Sequence, residues 1–158
     1  MAPRTPGTDG FIKIFNNDGS ESGACGNGMR CVASILFDET GKDALTFETN
    51  AGILNCWKAE DGKFTVDMGP PRFAPAEIPF VADREAIVDA LDVDGRTVEI
   101  SAVSMGNPHA VQVVADVDAA PVATQGARIE WHARFPQRVN AGYMQVVDRA
   151  TIRLRVWE

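Results

Sequence analysis

The chain has 158 residues, 45% of them hydrophobic, with 15 Lys and Arg against 22 Asp and Glu and a formal net charge of -7. That length and apolar content suffice for one ordinary domain, or two small ones, around a real core, which excludes a disordered chain. The acidic balance argues against a nucleic-acid or anionic-membrane surface, because both draw their affinity from clustered cations.

No stretch approaches the roughly eighteen consecutive apolar residues of a membrane span, and the opening MAPRTPGTDG has no hydrophobic signal core, so the expectation is a soluble, cytoplasmic protein with no membrane partner. Cys25, Cys31 and Cys56 match neither a disulfide scaffold nor paired CxxC zinc ligands. Free thiols in a reducing compartment, with no metal, are the simplest account. Pro70, Pro71, Pro75 and Pro79 crowd into one short stretch. They mark a linker over 70–79 between a first half, 1–69, and a second half, 80–158.

In chain order, Phe11 to Phe15 alternates apolar and polar residues as a half-buried strand does. Met29 to Phe37 is apolar on nearly every side except at Arg30 and Ser34, which predicts a helix buried on most of its circumference. Gly41 is its natural stop, while Asp38 and Glu39 oppose the helix dipole in the last turn. Leu45 to Thr49, Ile53 to Lys58 and Lys63 to Met68 predict a meander, joined at Asn50-Ala51-Gly52 and Asp61-Gly62. Beyond the linker, Thr97 to Ser104 and Ala110 to Ala115 read as strands around a Gly106-Asn107-Pro108-His109 turn, and Asp118 to Ala133 as partly helical. Tyr143 to Val147 and Thr151 to Trp157 form a hairpin about Asp148-Arg149-Ala150, with Ile152, Leu154 and Val156 on one face and Arg153 and Arg155 on the other. The expected class is α+β, with mostly antiparallel strands around a central buried helix. A sequence ending at Glu158, on a strand with nothing to cover it, reads as a cut product.

The chemistry concentrates in Asn16 to Cys31, NNDGSESGACGNGMRC. Cys25 precedes Gly26-Asn27-Gly28 and the apolar helix, so its sulfur falls among the unpaired N–H groups of a helix N-terminus, which favour a thiolate. The same N–H groups suit a carboxylate, and glycines let it approach. An isolated cysteine is more often an inert core thiol, and Cys31 and Cys56, with no glycines beside them, keep that reading. Asn107 and His109 share a polar turn whose simpler reading is an Asx-Pro turn. Asn140, Gln145 and Glu158, taken singly, read as ordinary surface residues.

Together these segments resemble the diaminopimelate epimerase family of pyridoxal-phosphate-independent amino-acid racemases. NNDGSESGACGNGMRC is similar to its first catalytic segment, VSMGNPH to its middle segment, and RVNAGYMQVVDRATIRLRVWE to the strands before its second catalytic segment. Related racemases carry histidine after the Cys-Gly pair, so Asn27 favours the epimerase branch. The resemblance implies a fold of two pseudosymmetric halves and interconversion of LL- and meso-diaminopimelate on the route to lysine and peptidoglycan, without cofactor or metal. It implies Cys25 as one of two catalytic cysteines, with Asn16, Asn107 and Asn140 at the substrate's charged ends and Gly26 and Asn27 as a carboxylate cradle. It also implies Glu158 as a substrate-amine contact, His109 and Glu158 as groups that tune the cysteines, and a homodimer. The family's second Ala-Cys-Gly-Thr-Gly-type segment and its opening strands have no counterpart here. Both halves are therefore expected to be incomplete, and the chain alone to be inactive. Two rivals remain at this stage: a cysteine hydrolase with a Cys25–His109 dyad, and a non-catalytic amino-acid-binding remnant.

Overall fold

Strands form where apolar and polar residues alternate, and each of two units closes a core over its own sheet. The computed structural model describes residues 1–17 and 19–158. The units are Met1–Pro70 and Pro71–Glu158.

In the first unit β1 (Gly10–Phe11), β2 (Ile14–Phe15) and β3 (Glu21–Ser22) precede α1 (Gly26–Thr40), followed by β4 (Ala44–Thr49), β5 (Gly52–Lys58) and β6 (Phe64–Asp67). The sheet order is β1-β4-β5-β6, and β2 and β3 form a separate ribbon. The meander appears with the expected turns. The single strand expected over Phe11 to Phe15 instead divides between two partners. Phe11 pairs in parallel with Glu48, while Ile14 and Phe15 pair with Ser22 and Glu21. The first ladder ends where the Ile12 N–H reaches the Glu48 carbonyl at 2.8 Å, and Lys13 turns out to bind Glu21 at 3.1 Å.

Helix α1 stops where Gly41 adopts the left-handed conformation (φ 66°), its N–H donating to the Phe37 carbonyl. Only Met29, Ala33 and Phe37 are fully buried along it. They recur every fourth residue and pack on Leu45, Phe47, Leu54 and Cys56. The expected burial around most of the circumference is therefore corrected to one stripe. A single sheet covers a single side, leaving Cys31 exposed and Ile35 58% exposed.

The second unit contains β7 (Asp89–Val93), β8 (Arg96–Ser104), β9 (Pro108–Val113), α2 (Val122–Glu130), β10 (Asn140–Val146) and β11 (Ile152–Trp157). The sheet order is β11-β10-β9-β8-β7. β9 and β10 are parallel, which requires a long crossover, and α2 supplies it. Tyr143, Ala141, Ala110 and Ile100 on one face of the sheet share a core with Ile129 of α2 and with Phe135. The proline-rich segment is built into this unit: Arg72 bridges to Ser104, Pro75–Glu77 forms a short 3-10 turn, and Ile78 is buried in the core.

On the other face, β-pairing aligns Val113 with Met144 and Leu154, and Val146 with Ile152. Val113, Val146, Ile152 and Leu154 are each more than half exposed, with Val156 close behind. An apolar strip spanning neighbouring strands is larger than scattered surface residues create. A hydrophobic dye should therefore fluoresce with the folded chain, and Leu154→Lys should weaken that signal without shifting the unfolding midpoint. In the first unit, Phe47 is fully buried beneath α1. Phe47→Ala should cost about 3–5 kcal/mol in urea unfolding of that unit.

Candidate functional site

In the first unit the site starts at the head of α1. Cys25 is the N-cap in an extended conformation (φ -150°, ψ 96°). The Gly28 N–H donates to its sulfur at 3.3 Å, and its carbonyl accepts from the Met29 N–H at 2.9 Å. The N–H groups of Gly26 and Asn27 come before Met29, the first helix N–H with an intrahelical acceptor, as first-turn donors always do. Glycine matters here for space. A Cβ on residue 28 would stand 3.3 Å from the Cys25 sulfur, and one on residue 26 would stand 3.5 Å from the Met68 sulfur.

Asn27 is exposed, and its Oδ1 accepts from the Arg30 guanidinium one turn on, leaving the amide Nδ2 as the outward donor. Asn16 sits in the turn between β2 and β3. Its N–H donates to the Ser20 carbonyl at 2.8 Å and its Nδ2 to the Ser20 hydroxyl at 3.0 Å. Asp18, within the same turn segment, lies outside the described residues. The other thiols are placed differently. Cys31 is exposed further along α1, and Cys56 is buried under it, where burial pushes its thiol up to about 11.

In the second unit a polar group gathers at one end of the sheet. His109 belongs to β9 itself, which begins at Pro108, so the expected turn is displaced to the residues just before it. Gly106 takes φ 100° there, and its N–H donates to the Ser104 hydroxyl at 3.2 Å. Asn107 Oδ1 and His109 Nε2 lie 3.0 Å apart. The parallel register sets Asn140 opposite His109, and the antiparallel one sets Ala141 opposite Trp157. Glu158 thus falls beside Asn140, whose Nδ2 donates to its carboxylate at 3.5 Å.

The ends of three neighbouring strands therefore bring Asn107 and His109 together with Asn140 and Glu158, which lie far from them in sequence. Burial holds His109 below its ordinary value of 6.5, more strongly than the Glu158 carboxylate pulls it up. Gln145 stands apart from this group and braces a loop by accepting from the Val117 N–H at 3.2 Å.

Sequence reasoning missed Arg30 and the support behind Glu158. The first was legible as an i, i+3 pair on a helix. The second joins Trp157 to Glu130 across 27 residues, for which a single sequence carries no signal.

The architecture is that of an α+β fold also found in a solved structure. A Bacillus anthracis phenazine biosynthesis protein of the PhzF family superposes with a TM-score of 0.51 at 20% identity, covering 94% of this chain and 53% of that one. Sequence comparison is more specific. The diaminopimelate epimerase family model matches residues 3–74 and 101–158, which include every residue of both polar groups. Proteins named diaminopimelate epimerase are 58% identical over 155 residues in Aromatoleum aromaticum and 54% over 159 residues in Pseudomonas entomophila. A third, from Stutzerimonas stutzeri, is 54% identical over 158 residues. These alignments cover 97 to 99% of this chain, and the chain spans 56 to 58% of the length of these curated relatives. The chain belongs to the diaminopimelate epimerase family.

The lowered His109 value sets a pH dependence. Between pH 6.5 and the lower folded value, the unfolded chain binds a proton at this position and the folded chain does not, so stability falls as pH falls through that window. Guanidinium unfolding at pH 7.5 and at pH 5.5 should show a loss on acidification. His109→Gln should reduce that loss.

Proposed function

We propose that this chain carries one catalytic thiol and much of the substrate-binding surface for cofactor-independent epimerisation of diaminopimelate between its LL and meso forms. The observation that carries the reading is Cys25 at the N-cap of α1, its sulfur hydrogen-bonded to a backbone N–H within a family-matched segment. Inverting a carbon requires a base that removes the α-proton from one face and an acid that delivers a proton to the other. Cys25, as thiolate, takes the proton from Cα and becomes a thiol, leaving the electron pair delocalised into the substrate carboxylate. The N–H groups of Gly26 and Asn27, with the Asn27 amide, meet that developing charge at the head of the helix.

Asn16, Asn107 and Asn140 hold the charged ends of the substrate. Glu158 receives an ammonium group, and His109 with Glu158 tunes the charge of the catalytic machinery. The reaction calls for no cofactor, and the setting is the cytoplasm, where precursors of lysine and peptidoglycan are made.

Neither remaining thiol serves as the opposed acid. Cys56 is buried in the core with its proton held up to about 11, and Cys31 points to solvent well along the same helix. The 158 residues by themselves therefore remove a proton without inverting the centre.

Incubation with LL-diaminopimelate in heavy water, followed by NMR, should show slow deuterium entry at Cα with no meso product. Cys25→Ala should abolish the exchange. Inversion by the 158 residues would overturn the one-thiol reading. Binding without exchange would identify an amino-acid-binding remnant, and ester hydrolysis lost in both Cys25→Ala and His109→Gln would identify a cysteine hydrolase.

A further inference from the structure

Glu130 is a carboxylate in the last turn of α2, where the helix dipole disfavours negative charge, and its side chain is only 19% exposed. Such a placement needs compensation. Its Oε2 accepts the Trp157 indole N–H at 2.9 Å, and its Oε1 lies 3.9 Å from the Arg138 guanidinium. One turn earlier on the same face, Gly126 makes room for the indole-bearing residue. A Cβ there would stand 2.6 Å from Trp157 Cβ and 2.9 Å from Cγ.

Helix α2 therefore grips Trp157 at two points. Trp157 is the last residue of β11, an edge strand paired only with β10, and such an end frays unless it is tied down. The next residue is Glu158.

We propose that Glu130 is a positioning residue: by holding the Trp157 indole it fixes the end of β11 and keeps the Glu158 carboxylate at Asn140 and beside His109. This rests on the reading of His109, Asn140 and Glu158 as one functional group. It adds a residue that touches none of them. From β8 His109 faces Val103, from β10 Asn140, and from the turn just before its own strand Asn107, all uncharged. The Glu158 carboxylate is the charged group whose field reaches the ring.

The test is an NMR titration of His109 in the 158-residue chain. Glu158→Gln should move the His109 midpoint down. Glu130→Ala and Trp157→Phe should move it in the same direction by a smaller amount. Glu130→Gln removes the charge but keeps an oxygen that accepts the indole N–H, so it should leave His109 near the unmodified midpoint.

An unmoved His109 in folded Glu130→Ala and Trp157→Phe chains would overturn the proposal. So would a Glu130→Gln shift as large as that of Glu130→Ala. If Glu130→Ala does not fold, Trp157→Phe, which keeps an aromatic ring but has no N–H to donate to Glu130, gives the same reading. No substrate enters the measurement, so its result is independent of whether the chain acts on diaminopimelate.

Discussion

A sulfur atom caps α1 at the position where helices usually place Ser, Thr, Asp or Asn. The first unit depends on that substitution. A thiol is a weaker acceptor than a hydroxyl or carboxylate, so capping by Cys25 gives up some helix stability while it sets a sulfur at the positive end of the peptide dipoles. The loss is made good elsewhere: by the Gly41 stop, and by Met29, Ala33 and Phe37 seated on the sheet. Gly28 keeps the space around the sulfur open. The helix is thus fastened by its middle and its end, and its head depends least on packing.

The second unit solves a different problem. Its polar residues lie at the ends of three strands, and none is near another in sequence except Asn107 and His109. Parallel pairing of β9 with β10 and antiparallel pairing of β10 with β11 bring one end of each strand to the same level. Side-chain alternation then decides which residues share a face, so the same register that aligns His109 with Asn140 exposes Val113 and Leu154 further along. The polar end and the apolar strip are two results of one alignment.

Much of this was legible from residue order alone. The meander, the helix after Cys25, its Gly41 stop and the final hairpin follow from local pattern, because alternation, glycine and turn residues act within a few positions. The glycines after Cys25 likewise announced a thiol at a helix head. What stayed hidden was long-range. The stretch Phe11 to Phe15 looks continuous, yet its two ends answer to different partners. The apolar surface of α1 gives no sign of how many sides will be covered, and so burial was overestimated at Ile35. The meeting of Asn140, His109 and Glu158 came from family resemblance; spacing alone would not have supplied it.

The crossover through α2 also has a kinetic side. His109 and Asn140 sit opposite each other although 31 positions separate them (140 minus 109). Closing a loop of that length costs chain entropy before any parallel contact repays it, and such pairings form slowly. The hairpins of β7 with β8 and β10 with β11 are local and can form without waiting for it. Completing this polar group therefore requires the long-range pairing that α2 spans, and that step is expected to be slower than either hairpin.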